Sequence, residues 1–385
     1  MFPVLSRTTC ASPHFPRSRS PRVPNPCVTA ARGVWMSGRS IVSRALPRTG
    51  PAALAALCLV TALTTGCSTP EPRVTRTAEE AGRNVRGESA PGASSPYWVD
   101  PDSDAARQVR AWEKEGREAE AKILRRIADR PVADWPAWDD PAPGIRAAAR
   151  SAARTKKAVL LVAYNIPHRD CGLYSAGGAK DAGAYRSWIG AFADAIGDAP
   201  ATVVLEPDAL PHIVDGCTPP EHHAERYQLL SEAVDTLKAR PNTRVYLDAG
   251  NPDWIDEPSK MAQPLRQAGL DRADGFSLNV SNFQSNERVK EYAGRLSDAV
   301  GGSHFVIDTS RNGKGPLSGG REEAWCNPPG RGLGTPPTTD TGDDRLDAYL
   351  WIKRPGDSDG TCRGGPPAGD WWPEYALGLA RRAAS

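Results

Sequence analysis

Apolar and polar positions change rhythm several times along this chain. Residues 102–130 (DSDAARQVRAWEKEGREAEAKILRRIADR) carry apolar side chains at helical spacing with charges between them, which predicts one amphipathic helix with a packing role. From residue 158 short apolar runs alternate with longer amphipathic ones. Strands are predicted over 158–164, 202–206, 243–248, 275–280, 304–310 and 347–353, and helices over 181–197, 221–240, 258–268 and 284–300, with a last helix starting near Trp372. Repeated βα units of this length imply a parallel sheet, either doubly wound or closed into a barrel.

Polar residues gather where the predicted strands end. Thr202 to Leu210 (TVVLEPDAL) shows this most sharply, because an apolar run stops and Glu206, Pro207 and Asp208 follow at once. Pro207 fixes its own φ and pushes Glu206 out of the helical region, so a stiff turn should carry Asp208 outward from the sheet. Taken alone, that stretch also reads as a helix N-cap or a surface turn. Tyr164 with Arg169 and Asp170, Asp248, Asn279 with Asn282, Asp308 with Arg311, and Lys353 with Asp357 and Asp359 repeat the pattern on the other strands. Six strands ending this way imply one polar cleft at the carboxyl ends of a barrel, where such folds place their chemistry. Trp135 and Trp138 lie in a Pro-rich loop and fit either a core plug or a flat platform for a sugar ring.

Charge is distributed unevenly. Residues 1–50 contain eight Arg (Arg7, Arg17, Arg19, Arg22, Arg32, Arg39, Arg44, Arg48) and no acid, and taking those eight from the formal +2 leaves −6 for the remainder. An acidic body argues against a nucleic-acid partner. Residues 36–67 read as an export signal, with Arg39, Arg44 and Arg48 before the apolar run 51–63, which is too short to span a bilayer as a mature helix. The run ends at Leu63-Thr64-Thr65-Gly66-Cys67, which resembles a bacterial lipoprotein cleavage site with Cys67 as the lipidated residue, except that Leu lies four positions before the Cys instead of three. Met36 fits an initiator, which would make 1–35 an untranslated or disordered leader. Residues 68–96 have almost nothing to bury and read as a flexible tether, and 97–385 as the folded, monomeric domain. The expected location is therefore outside the cell, secreted or held to the membrane through Cys67.

Four cysteines lie in the leader region and four in the folded part: Cys171, Cys217, Cys326 and Cys362. Export favours disulfides, and four cysteines allow three pairings. Pairing Cys326 with Cys362 would tie the long Gly/Pro-rich segment 311–347 to the loop of Asp357 and Asp359. Pairing Cys171 with Cys217 would tie the loop after Asp170 to the one after Asp208. No two of these cysteines have zinc-knuckle spacing, no HExxH is present, and His222 and His223 are adjacent, so no metal is expected.

At these same residues the chain resembles the family 6 glycoside hydrolases, a family of bacterial and fungal cellulases. The resemblance rests on Val162-x-Tyr164-x-x-Pro167-x-Arg169-Asp170-Cys171-Gly172 followed by Ser175-Ala176 and Gly178, and on VVLEPDAL. DAG at 248–250, IDTSRNG at 307–313, WCN at 325–327, TDTGD at 339–343 and LWIK-x-PG-x-x-DG at 350–360 follow in order. It implies a distorted parallel βα barrel, TIM-like with fewer than eight regular strands, that hydrolyses β-1,4-glucosidic bonds with inversion and without a cofactor. Asp208 aligns with the general acid, Asp170 with the carboxylate that keeps the acid protonated and helps relay a proton, Asp359 with the candidate base, and Tyr164 with the tyrosine that presses on the distorted sugar. Trp135, Trp254 and Trp325 align with sugar platforms, and Asn282, Lys353 and Asp357 with hydrogen-bonding positions.

Two residues depart from the family pattern. Asn251 stands where the family usually has His after DAG, and Asp357 where it usually has Glu. Both touch substrate-binding positions. The expected activity is that of an open-cleft endo-β-1,4-glucanase acting on a cellulose-like glucan or cello-oligosaccharide. An exoglucanase, a non-catalytic glucan-binding lipoprotein and a metal-dependent polysaccharide deacetylase are the alternatives.

Overall fold

Strands buried on both faces need apolar side chains at every position, and the runs predicted as strands have them. The computed structural model describes residues 95–318 and 324–383. The expectations for 1–35, for 36–67 with Cys67, and for all but the last two residues of 68–96 lie outside the described residues. Six strands form one parallel sheet in chain order: β1 Val159–Ala163, β2 Ala201–Leu205, β3 Thr243–Asp248, β4 Gly275–Leu278, β5 His304–Asp308 and β6 Leu346–Leu350. Register is continuous from Val159 opposite Ala201 to Ala201 opposite Thr243, with one irregularity near Phe305 where β5 meets β6.

The sheet curls into a distorted barrel, as the sequence implies. Alternate strand residues face opposite sides. Leu160, Val162, Val204, Tyr246, Val306, Ala348 and Leu350 form an inner cluster with Tyr97 and Ala133. Leu161, Val203, Val245, Phe276 and Phe305 belong to the main core beneath the helices. The strip between β6 and β1 is spanned by residues 133–135: Ala133 N donates to Trp351 O, Asp134 N donates to Leu160 O, and Asp134 pairs with Leu161 in parallel. That extended segment takes the place of a further strand.

The main core also takes side chains from α3 (Ala142–Arg154), α4 (Ala182–Ile196), α6 (His223–Lys238), α7 (Ser259–Gln267) and α8 (Asn286–Ala299), while α5 (Pro211–Val214) is a single turn after β2. Asp181 and Ser285 cap α4 and α8 by accepting from Ala184 N and Arg288 N. A second cluster joins α1 (Asp104–Lys114), α2 (Glu118–Ala128) and α9 (Pro373–Arg381) around Trp112, Leu124 and Trp351.

Two expectations need correction. The single helix over 102–130 is a hairpin, because the chain reverses at Gly116, whose φ of 75° suits a residue without a Cβ. Helix α3 was not anticipated. Its buried stripe is Ile145 with Ala142, Ala148, Ala149 and Ala152, and alanine gives little hydropathy contrast. The other predicted helices and strands are present, with ends displaced by at most three residues. Among the described residues no helix is long and apolar enough to cross a membrane.

Candidate active site

At the end of β2 the chain makes a tighter turn than Pro207 alone requires. Glu206 and Asp208 both adopt positive φ, 49° and 71°, which costs a residue with a Cβ and persists only when neighbours hold it. The Glu206 carboxylate turns inward, is fully buried, and accepts from Asn165 N and Ile166 N at 2.9 Å. Burial pushes its pKa up to about 7 against the pull of those donors. Asp208, partly exposed, points the other way, and its backbone N–H donates to Asp248 Oδ2 at 2.9 Å.

Asp208 carries the carboxyl of this group whose pKa is shifted upward. Its pKa is raised to about 6 by burial first, with His212 pulling down, Asp170 pushing up, and the Tyr164 hydroxyl and Lys353 pulling down. Asp170 shifts the other way. Burial would raise it, but the His212 imidazole, with Nε2 3.8 Å from Oδ1, and hydrogen bonds from Ser175 N and Oγ outweigh burial and hold it below the usual range. Tyr164 links the two: its hydroxyl lies 3.4 Å from Asp208 Oδ2 and 3.1 Å from Ser175 Oγ, which donates to Asp170 Oδ2 at 2.8 Å. A hydrogen-bonded chain therefore runs between one carboxyl that keeps its proton and one that does not.

The loop after β1 is held for this purpose. Arg169 lies 4.4 Å over the Tyr164 ring and donates through Nε to Ser175 O at 2.8 Å. Gly178 passes so close to Ile166 that a Cβ there would sit 2.0 Å from its carbonyl oxygen, which accounts for glycine in the motif. A disulfide joins Cys171 to Cys217, and another joins Cys326 to Cys362, the two pairings considered from the loop positions.

Asp359 comes from the loop after β6. Arg311 Nη1 lies 2.8 Å from its Oδ2, Asn327 N donates to the same oxygen at 2.9 Å, and Lys353 Nζ lies 3.5 Å from its Oδ1. Burial would raise its pKa, but the charges of Arg311 and Lys353 win and hold it ionised. Lys353, itself pushed down by burial, also acts on Asp208.

The expected ligand positions divide into two groups. Trp135 packs edge-on against Tyr164 at 5.3 Å, donates from Nε1 to Ile352 O, and lies partly buried against the inner cluster. Trp325 is 38% exposed and lies 6.1 Å from Tyr174. Trp254 stands further round, tied through Nε1 to Asp215 Oδ2 at 2.8 Å. Asn282 spends Oδ1 on Phe283 N. Asp357 is buried against Arg354 Nε at 2.6 Å, and its Oδ1 has no protein partner.

Several residues hold the site through contacts that the sequence pattern does not specify. Asn327, immediately after Cys326, accepts Asp359 N at 2.9 Å through Oδ1 and donates to Gly360 O at 2.8 Å, so it grips the Asp359 loop from both sides. Asp308 accepts from Ser281, Ser310, Ile352 and Lys353 backbone N–H groups, joining three strand ends. His212 lies between Asp170 and Asp215. Asp170, Asp208 and His212 each bring a ligand atom within 4.8 Å of the others, but the imidazole already uses both nitrogens on carboxylates, and the set reads as ion pairing.

A profile of Glycosyl hydrolases family 6 matches residues 93–383. Endoglucanase A of Thermobispora bispora is 43% identical over 298 residues, 75% of this chain and 63% of that protein. Endoglucanase 1 of Streptomyces halstedii is 44% identical over 291 residues, 73% of this chain and 87% of that one. This chain thus spans under two thirds of the first relative and most of the second. The endoglucanase Cel6 from Mycobacterium tuberculosis, solved with a thio-linked cellobioside ligand, superposes with a TM-score of 0.70 at 43% identity over 75% of this chain and 98% of that one.

Proposed function

The chain belongs to glycosyl hydrolases family 6, and from that membership we propose that it cleaves internal β-1,4-glucosidic bonds of a cellulose-like glucan with inversion. Inverting hydrolysis needs a protonated carboxyl on the leaving oxygen and an ionised one activating water across the ring. The observation that carries the reading is the opposed protonation of Asp208, raised to about 6, and of Asp359 and Asp170, both lowered. Asp208 gives its proton to the glycosidic oxygen. The chain through Tyr164 and Ser175 to Asp170 offers a route by which that proton is restored. Asp359, held by Arg311 and Lys353, takes the proton of the attacking water. Trp135 and Trp325 offer indole faces to glucose rings. Names of the relatives support endo action and a cello-oligosaccharide substrate.

Reducing-end release from carboxymethylcellulose, wild type against Asp208→Ala, tests this, with NMR of the first product as the test of inversion. Release by wild type and none by the variant is the expected result; no release by wild type removes the hydrolase reading in favour of a glucan-binding role, suggested by Asn251. Export through 36–67, lipidation at Cys67 and a tether over 68–96 are part of the same proposal. Incorporation of labelled fatty acid that disappears in Cys67→Ser is the corresponding measurement.

A further inference from the structure

Among the described residues, His212 is the one buried imidazole, and it faces the candidate acid. It stands on α5, directly after the acid turn, and its backbone N–H donates to Asp208 O at 3.0 Å. Its side chain is 8% exposed, with Nε2 3.8 Å from Asp170 Oδ1 and Nδ1 3.4 Å from Asp215 Oδ2. Asp215 is fixed in turn by Trp254 Nε1 at 2.8 Å and by Cys217 N at 2.8 Å. The Trp254 ring meets the imidazole edge-on at 4.8 Å.

The disulfide gives this arrangement its frame. Cys171 directly follows Asp170, and Cys217 is two residues past Asp215, so the Cys171–Cys217 bond spans the ends of the row Asp170, His212, Asp215. That bond keeps the backbone carrying Asp170 close to the backbone carrying Asp215, on either side of the ring. A neutral histidine serving only as core packing would need neither carboxylate.

We infer that His212 is a positioning residue for the hydrolysis: clamped as a cation between Asp170 and Asp215, it holds Asp170 in place and ionised beside Asp208. The inference rests on the hydrolase reading above. The charged groups that face the ring are Asp170 from the loop after β1, Asp208 from the end of β2, and Asp215 after α5. Burial would lower the pKa of His212, but the nearby Asp170 carboxylate and the charges of Asp208 and Asp215 raise it. Without the cation, Asp170 loses a positive neighbour that counts among the largest causes of its lowered pKa and ionises at higher pH.

The test is steady-state kinetics of His212→Gln and Asp215→Asn on a soluble cello-oligosaccharide, with histidine NMR on the same proteins. His212→Gln is expected to lower kcat about tenfold with KM within about twofold, and to move the acid limb of kcat/KM up by about one pH unit. Asp215→Asn moves the limb the same way by less. A loss equal at every pH, or unmoved limbs in both folded variants, overturns the inference. Should His212→Gln fail to fold, the limb of Asp215→Asn decides. If wild type releases no sugar, the hydrolase reading fails separately, and the clamp is judged by whether the His212 ring titrates above 6.5 in wild type and lower in Asp215→Asn.

Discussion

The backbone N–H of Asp208 donates to the side chain of Asp248 at 2.9 Å, so the residue that would give the proton is held by a second, fully buried carboxyl one strand away. Asp248 also accepts from Gly250 N at 3.3 Å and Ser277 Oγ at 3.2 Å. Burial and the nearby Asp208 charge push its pKa up to about 7. Oδ2 takes both backbone N–H groups, so an amide oxygen in the same place could keep them and only removal of the acceptor tests its hold on the positive φ of Asp208. Asp248→Ala should therefore lower kcat by one to two orders of magnitude, since an unsatisfied buried N–H costs about 1–3 kcal/mol and the acid swings with it. Kinetics together with thermal unfolding checks this, and kcat within about twofold of wild type would show that the turn holds itself.

The raised pKa of Asp208 makes a pH prediction for rate and stability with one sign. A general acid works only while protonated, so kcat/KM should fall about tenfold per pH unit above about 6. For stability the folded value lies above the ordinary 3.8, so the contribution is complete below 3.8 and is lost as pH rises through about 6. Asp208→Asn should abolish that alkaline limb, cut the rate roughly 10³-fold, and unfold at a higher temperature than wild type at pH 7. A less stable Asn variant at pH 7 would mean that the carboxylate is not strained by its surroundings.

Much of this was visible before the structure. Buried parallel strands read as apolar runs, and the carboxylates that line the cleft sit at strand ends because the apolar run must stop there. Asp170, Asp208, Asp359 and Tyr164 were accessible for that reason. His212 and Asn327 were not: their roles depend on contacts across 42 and 32 residues, which no local pattern encodes. The turn at Gly116 was hidden by the charges on both sides of it, which continue the helical pattern through the break.

Arg311 is fully buried and paired with Asp359, with its guanidinium 4.4 Å over the Phe283 ring. Arg311→Met strands a buried carboxylate and should cost about 3–5 kcal/mol. The lowered pKa of Asp359 means that its contribution to stability is present above 3.8 and is lost as pH falls through its lower folded value. The double variant Arg311→Met with Asp359→Asn should recover part of the stability and none of the activity. Denaturation of both across pH 3–7 distinguishes this from simple loss of packing, in which case the second substitution would bring no recovery.

The bond between Cys326 and Cys362 closes 36 residues of chain and carries Asn327 at one end, so its loss should act on two quantities. Loop-closure entropy assigns it about 4 kcal/mol of stability, and the Cys171–Cys217 bond, which closes 46 residues, about the same. Their effects on rate should differ in kind. Cys326→Ser with Cys362→Ser loosens Asn327, which both donates to Asp359 Oδ2 and accepts from Asp359 N, so the orientation of the base suffers along the whole pH profile. Cys171→Ser with Cys217→Ser loosens Asp170 and Asp215 about His212, so its loss should be greatest on the acid side. Measuring kcat/KM against pH for the two double variants at a temperature where both are folded separates these. Parallel profiles would show that each bond only stiffens the barrel mouth and that neither tunes a particular carboxylate.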